Sequence, residues 1–91
     1  MYAYHGIYQL KRIELAPEVY FKAIIKHPYL SVDYIIGAVQ EAIESNDYEL
    51  SAKGELQISR RRKTNGKWVN VIFYVDDRED RYHVRVHVRS L

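Results

Sequence analysis

The chain has 91 residues, no cysteine and a formal net charge of +2, with 47% hydrophobic and 29% charged residues. This composition suits a small globular fold; it excludes a disordered polyelectrolyte, a disulfide scaffold, a thiolate metal centre and a cysteine nucleophile. The charge is uneven: residues 1–59 carry five Lys/Arg against eight Asp/Glu, and residues 60–91 carry nine against four. A basic C-terminal part points to an anionic partner, most often nucleic acid, with an ordinary solvated surface as the alternative. The run Met1–Tyr8 lacks the basic and apolar regions of a signal peptide, and no apolar run approaches the ~18 residues of a membrane span. A soluble cytoplasmic protein with no membrane partner is the expectation.

In chain order, residues 1–14 are tyrosine-rich and weakly alternating, which places a first strand around Ile7–Leu15. Ala16-Pro17-Glu18 opens a helix, since Pro suits the first helical position and Glu the positive end of the dipole. Tyr20, Phe21, Ile24 and Ile25 recur at helical spacing, and Pro28 ends the run near His27, whose position suits the negative end of that helix. Ser31 is the N-cap of a second helix, with Leu30 and Ile35 spaced as a hydrophobic staple. Val32, Ile35, Ile36, Val39 and Ile43 make its apolar stripe, and Ser45-Asn46-Asp47 closes it.

The period then changes to two. Leu56 and Ile58 alternate with Glu55, Gln57 and Ser59. Asn65-Gly66 is a two-residue hairpin signal, because a type I′ turn needs positive φ at both positions. Val69, Val71, Phe73 and Val75 alternate with Trp68, Asn70, Ile72 and Tyr74. A polar turn at Asp77-Arg78-Glu79-Asp80 leads to Arg81–Arg89, where Tyr82, Val84, Val86 and Val88 fall on one side and only Arg and His on the other. Two-residue pairing at Asn65-Gly66 sets Arg62 opposite Val69 and Ile58 opposite Phe73. A four-residue loop at 77–80 sets Tyr74 opposite His83, Ile72 opposite Arg85, Asn70 opposite His87 and Trp68 opposite Arg89. Both hairpins gather the Val/Phe positions on one face, so the helices pack there. The expected fold is two-layer α+β in the order β-α-α-β-β-β, with two N-terminal helices on one face of an antiparallel sheet.

The other face then carries Arg61, Lys63, Arg85 and Arg89 as candidate phosphate binders, with Asn70 among them. Trp68 and Tyr74 are candidate stacking groups for splayed bases. His83 and His87 are candidate acid–base groups, since a neutral imidazole can take the proton of a ribose 2′-hydroxyl while Arg stabilises charge on phosphate. Tyr74 serves equally as a proton donor, a stacking platform or plain surface. The two histidines stand ~13 Å apart along a strand, too far to chelate one ion, so no metal or cofactor is expected. Arg60 and Arg62 alternate to the other face and should lie along the core's rim.

This order of elements, with the run Lys26-His27-Pro28-Tyr29-Leu30-Ser31-Val32-Asp33-Tyr34-Ile35-Ile36, resembles the RelE-like toxins and the wider barnase–EndoU–colicin–RelE-like group of small nucleases. The resemblance covers residues 7–91 and is mostly topological. It implies a single RelE-like α+β domain over residues 1–91, an active surface on the open sheet face, and metal-independent cleavage of RNA by His, Arg, Lys and Tyr. It also implies a cytoplasmic ribonuclease toxin acting on single-stranded or ribosome-associated RNA, with an acidic protein partner such as an antitoxin. Two other readings use the same face: a non-catalytic nucleic-acid-binding module, and a protein–protein module for an acidic partner.

Overall fold

The computed structural model describes residues 4–8 and 11–91. The chain folds as two-layer α+β, with two helices over a six-stranded mixed sheet. β1 (Tyr4–Tyr8) and β2 (Lys11–Leu15) pair antiparallel, so the first strand expected over Ile7–Leu15 is divided between two strands; its positions 9 and 10 lie outside the described residues. Helices α1 (Pro17–Lys26) and α2 (Val32–Ser45) follow, then a two-residue β3 (Glu49–Leu50), β4 (Leu56–Thr64), β5 (Lys67–Arg78) and β6 (Arg81–Ser90). The strand order is β1-β2-β6-β5-β4-β3. β2 runs parallel to β6, so the sheet is mixed where the sequence suggested an antiparallel one. Among the described residues no helix is long and apolar enough to cross a membrane.

The helix signals act as their chemistry requires. Pro17 opens α1, and the His27 backbone N–H closes it on the Ala23 carbonyl. Ser31 Oγ accepts the Tyr34 N–H at 3.0 Å, and the staple residues Leu30 and Ile35 are both fully buried. Asn46 ends α2 in the left-handed region at φ 56°, its N–H returning to carbonyls of the last turn. α2 buries Ile35, Ile36, Ala38, Val39 and Ala42; α1 buries no residue fully.

The Asn65-Gly66 turn has positive φ at both residues, 50° and 76°. It fixes β4 against β5 in the expected register, with Arg62 opposite Val69 and Ile58 opposite Phe73. The second hairpin differs. Asp77 and Arg78 continue β5, and only Glu79-Asp80 connects it to β6. Pairing therefore shifts by two residues: Tyr74 faces Arg85 and not His83, Ile72 faces His87 and not Arg85, and Asn70 faces Arg89 and not His87. Trp68 meets the chain end, where the Leu91 N–H donates to its carbonyl at 3.3 Å. A two-residue slip keeps every side chain on its face, so the faces survive while the rows change. Ile58, Val71, Phe73, Val75 and Val84 are fully buried with α2; Val86 and Val88 are half-buried at the core's edge.

At the core's rim the Arg62 guanidinium lies over the rings of Tyr29, at 5.2 Å, and Tyr34, at 4.6 Å. Arg60 reaches Asp47 at 3.3 Å. Burial pushes the Tyr29 phenol above its ordinary pKa, and Arg62 pulls it partly back. Phe73→Ala should lower unfolding stability by about 3–5 kcal/mol, because it empties the centre of the core. Ser31→Ala should cost about 1 kcal/mol by removing one cap. Urea titration followed by circular dichroism separates the two.

Candidate functional site

The face away from the helices is laid out by three registers. Its rows across β4, β5 and β6 are Gln57–Tyr74–Arg85, Ser59–Ile72–His87 and Arg61–Asn70–Arg89. Lys63 and Trp68 lie beyond them at one end. At the other end His83 sits between Asp76 of β5 and Glu14 of β2. The open face thus contains all nine residues marked in the sequence, but the shifted β6 register divides them.

Carboxylates make the division. Glu14 is 8% exposed; it accepts from Arg81 Nη1 at 2.9 Å and meets Arg12 at 3.4 Å. Asp76 holds Arg78 at 2.9 Å, and Arg12 lies 3.9 Å from Asp80. His83 lies inside this ionic belt, with its Nδ1 buried and without a hydrogen-bond partner among the described residues. Arg85 donates through Nη2 to both oxygens of Glu55, at 2.8 and 2.9 Å, and stacks over the Tyr74 ring at 5.1 Å. Charges so paired offer little to an incoming anion.

Glu55 is placed by its own turn. Ser51 Oγ accepts the N–H groups of Lys53 and Glu55, at 3.3 and 3.1 Å, while the Ser51 N–H donates to the Glu55 carbonyl at 2.8 Å. Gly54 sits at φ 80°, where an L side chain would be strained. The 51–55 turn forms one wall of an open groove of about 480 Å³. Tyr74 and Arg85 line it, with His87 and Arg89 on β6 and Lys53 on the turn. The polar run Ser51-Ala52-Lys53-Gly54-Glu55 signals a turn in the sequence; its placement beside β6 does not appear there.

A second hollow of about 400 Å³ lies at the far end, between Arg61, Lys67, Trp68, Ser90 and Leu91. Trp68 is 52% exposed and has Lys63 Nζ 5.9 Å from its ring centroid. The Arg61–Asn70–Arg89 row joins the two hollows. Among the described residues no carboxylate pairs with Arg61, Lys63, Lys67 or Arg89, so positive charge is uncompensated along this half of the face. The arrangement can hold two or more phosphates about one aromatic platform, with one imidazole, His87, in reach of the first hollow. Among the described residues no group of three or more His, Asp or Glu could hold a metal ion.

No protein-family model matches the chain, no curated protein is significantly similar to it, and no solved structure matches it.

The two classes of cation differ in what their removal does to folding. Arg81→Ala leaves nearly buried Glu14 with a single, longer partner among the described residues and should cost about 1–3 kcal/mol. Arg89→Ala, at an exposed site without an ion pair among the described residues, should change stability by less than about 0.5 kcal/mol. Denaturant melts of both variants check this.

Proposed function

We propose that the open sheet face binds single-stranded RNA, with Arg61, Lys63 and Arg89 on phosphates, Asn70 as a polar contact and Trp68 as the stacking surface. One observation carries this reading: on the open sheet face, the cations that lack carboxylate partners among the described residues lie around Trp68 and the groove of Tyr74 and His87. A protein face that pairs some cations internally and leaves the neighbouring row unpaired concentrates its field where an anion would lie. Arg85 orients Tyr74 and is held in reserve by Glu55.

The reaction such a face supports is metal-independent endonucleolytic cleavage, in keeping with the RelE-like resemblance. His87 takes the proton of a ribose 2′-hydroxyl, and the freed oxygen attacks the adjacent phosphorus. Arg89 stabilises the charge on the non-bridging oxygens. The bond to the 5′-oxygen breaks, that oxygen takes a proton from Tyr74 or water, and a 2′,3′-cyclic phosphate remains. His83, among carboxylates and away from the groove, contributes less than His87. The placement of one imidazole in the groove, and not two, favours a second reading, RNA binding without turnover. A cytoplasmic location and a role as a toxin rest on the resemblance alone.

Binding should weaken steeply with salt. Arg61→Ala combined with Arg89→Ala should lower the salt slope by ~1.4, because each phosphate left without its cation removes ~0.7 on a single strand. Glu55→Gln should act in the opposite sense, freeing Arg85 and steepening the slope by up to ~0.7. Filter binding of labelled single-stranded RNA across a salt series measures both.

For catalysis, His87→Ala should lower the cleavage rate by ~10²–10⁴-fold with binding intact, and EDTA should leave the wild-type rate unchanged. End-group analysis of the products checks for the cyclic phosphate. Equal background from wild type and His87→Ala leaves the binding reading in place of the enzyme.

A further inference from the structure

The pairing of β6 is incomplete. β2 covers only Arg81–Val84 of a strand that runs to Ser90, and the β2 chain then departs into α1. The two-residue turn makes Arg78 and Arg81 a hydrogen-bonded pair, and such pairs recur at every second residue. Arg85, His87 and Arg89 therefore direct their backbone groups to β5, as the Leu91 N–H to Trp68 carbonyl bond at the end of the series agrees. The N–H and C=O groups of Val86, Val88 and Ser90 turn outward, past the end of β2, to an edge that no described strand occupies.

That edge opens on a groove of about 440 Å³ between β6 and α1, where Val19, Ala23, Val86 and Val88 supply apolar wall and Lys22 and Lys26 line the helix side. α1 has more apolar surface than the described chain covers, with Phe21 52% and Ile25 81% exposed. An open strand edge beside half-buried valines is a template for strand addition. Charge decides the occupant. A second copy pairing antiparallel through β6 would set Arg85, His87 and Arg89 against their own copies, and like charges opposite one another are destabilising. A segment bearing carboxylates on that side is favoured where the copy is repelled.

We propose that the β6 edge is a docking site for an extended acidic segment of a protein partner, which adds to the sheet beside Val86–Ser90. Its alternate residues are acidic on the side of His87 and Arg89 and small and apolar on the side of Val19 and Ala23. This surface is the edge of the sheet, distinct from the RNA-binding face, although the two share His87 and Arg89 along one border.

The test uses the whole chain and a synthetic peptide of about eight residues alternating Val and Glu. Hydrogen exchange followed by NMR should show the Val86 and Val88 amides slowed by about tenfold or more on saturation, with amides of β3 and β4 unchanged. A peptide N-methylated at alternate residues, retaining all its charge, should bind about tenfold more weakly, and a Val/Lys peptide should not bind. The Lys22→Glu, Lys26→Glu pair, both exposed, should weaken binding without altering the melt. Four results overturn the proposal: no binding of the Val/Glu peptide; equal binding of its N-methylated form; protection of Val86 and Val88 by protein concentration alone, which assigns the edge to a second copy; or the same protection by RNA, which assigns it to nucleic acid.

Discussion

Burial of the Val/Phe face beneath α2 governs the rest of the structure. Val71, Phe73, Val75 and Val84 are removed from water entirely, and strand geometry then compels each intervening side chain to the opposite side. Arg85, His87 and Arg89 are exposed because Val84, Val86 and Val88 face the helices. A one-residue slip would bury three cationic or imidazole groups in the core, so the register is held as firmly as the core itself. The cationic face thus follows from hydrophobic burial, with polar preference playing no necessary part.

The face is then sorted by carboxylates. Glu14, Asp76 and Asp80 neutralise the end shared with β2 and fix Arg12, Arg78 and Arg81 as structural pairs. Glu55 performs the same service for Arg85 from the 51–55 turn. What remains is a row of cations, unpaired among the described residues, between two hollows, with Trp68 at one and His87 at the other. Net charge of +2 gives no hint of this. The local balance at the open face, set by ion pairs within the fold, decides where an anion can settle.

The legible and illegible parts of the fold differ for physical reasons. Asn65-Gly66 announces a turn of one length, because positive φ at two consecutive positions is chemically distinctive, and the β4–β5 register followed residue for residue. Asp77-Arg78-Glu79-Asp80 carries no such mark. Glu79 and Asp80 connect the strands without a left-handed residue, so polarity alone could not tell a two-residue loop from a four-residue one. The resulting shift left each residue's face correct and its cross-strand neighbour wrong, which moved His83 from Tyr74 to Asp76. The partners of Arg81 and Arg85 lie 67 and 30 residues away, at Glu14 and Glu55, beyond any local pattern. The parallel pairing of β2 with β6 is hidden for the same reason.

Trp68 is the chain's one tryptophan and is half exposed at one end of the proposed RNA surface, so its emission reports on that surface alone. The most direct measurement is titration with a fluorescently silent single-stranded RNA at low salt, in parallel with labelled RNA followed by anisotropy. Stacking of a base on the indole should quench Trp68 emission saturably, with the midpoint of the anisotropy curve, and added salt should reverse both together. RNA bound with unchanged Trp68 emission, or no binding at low salt, would contradict the assignment of the open face as the site.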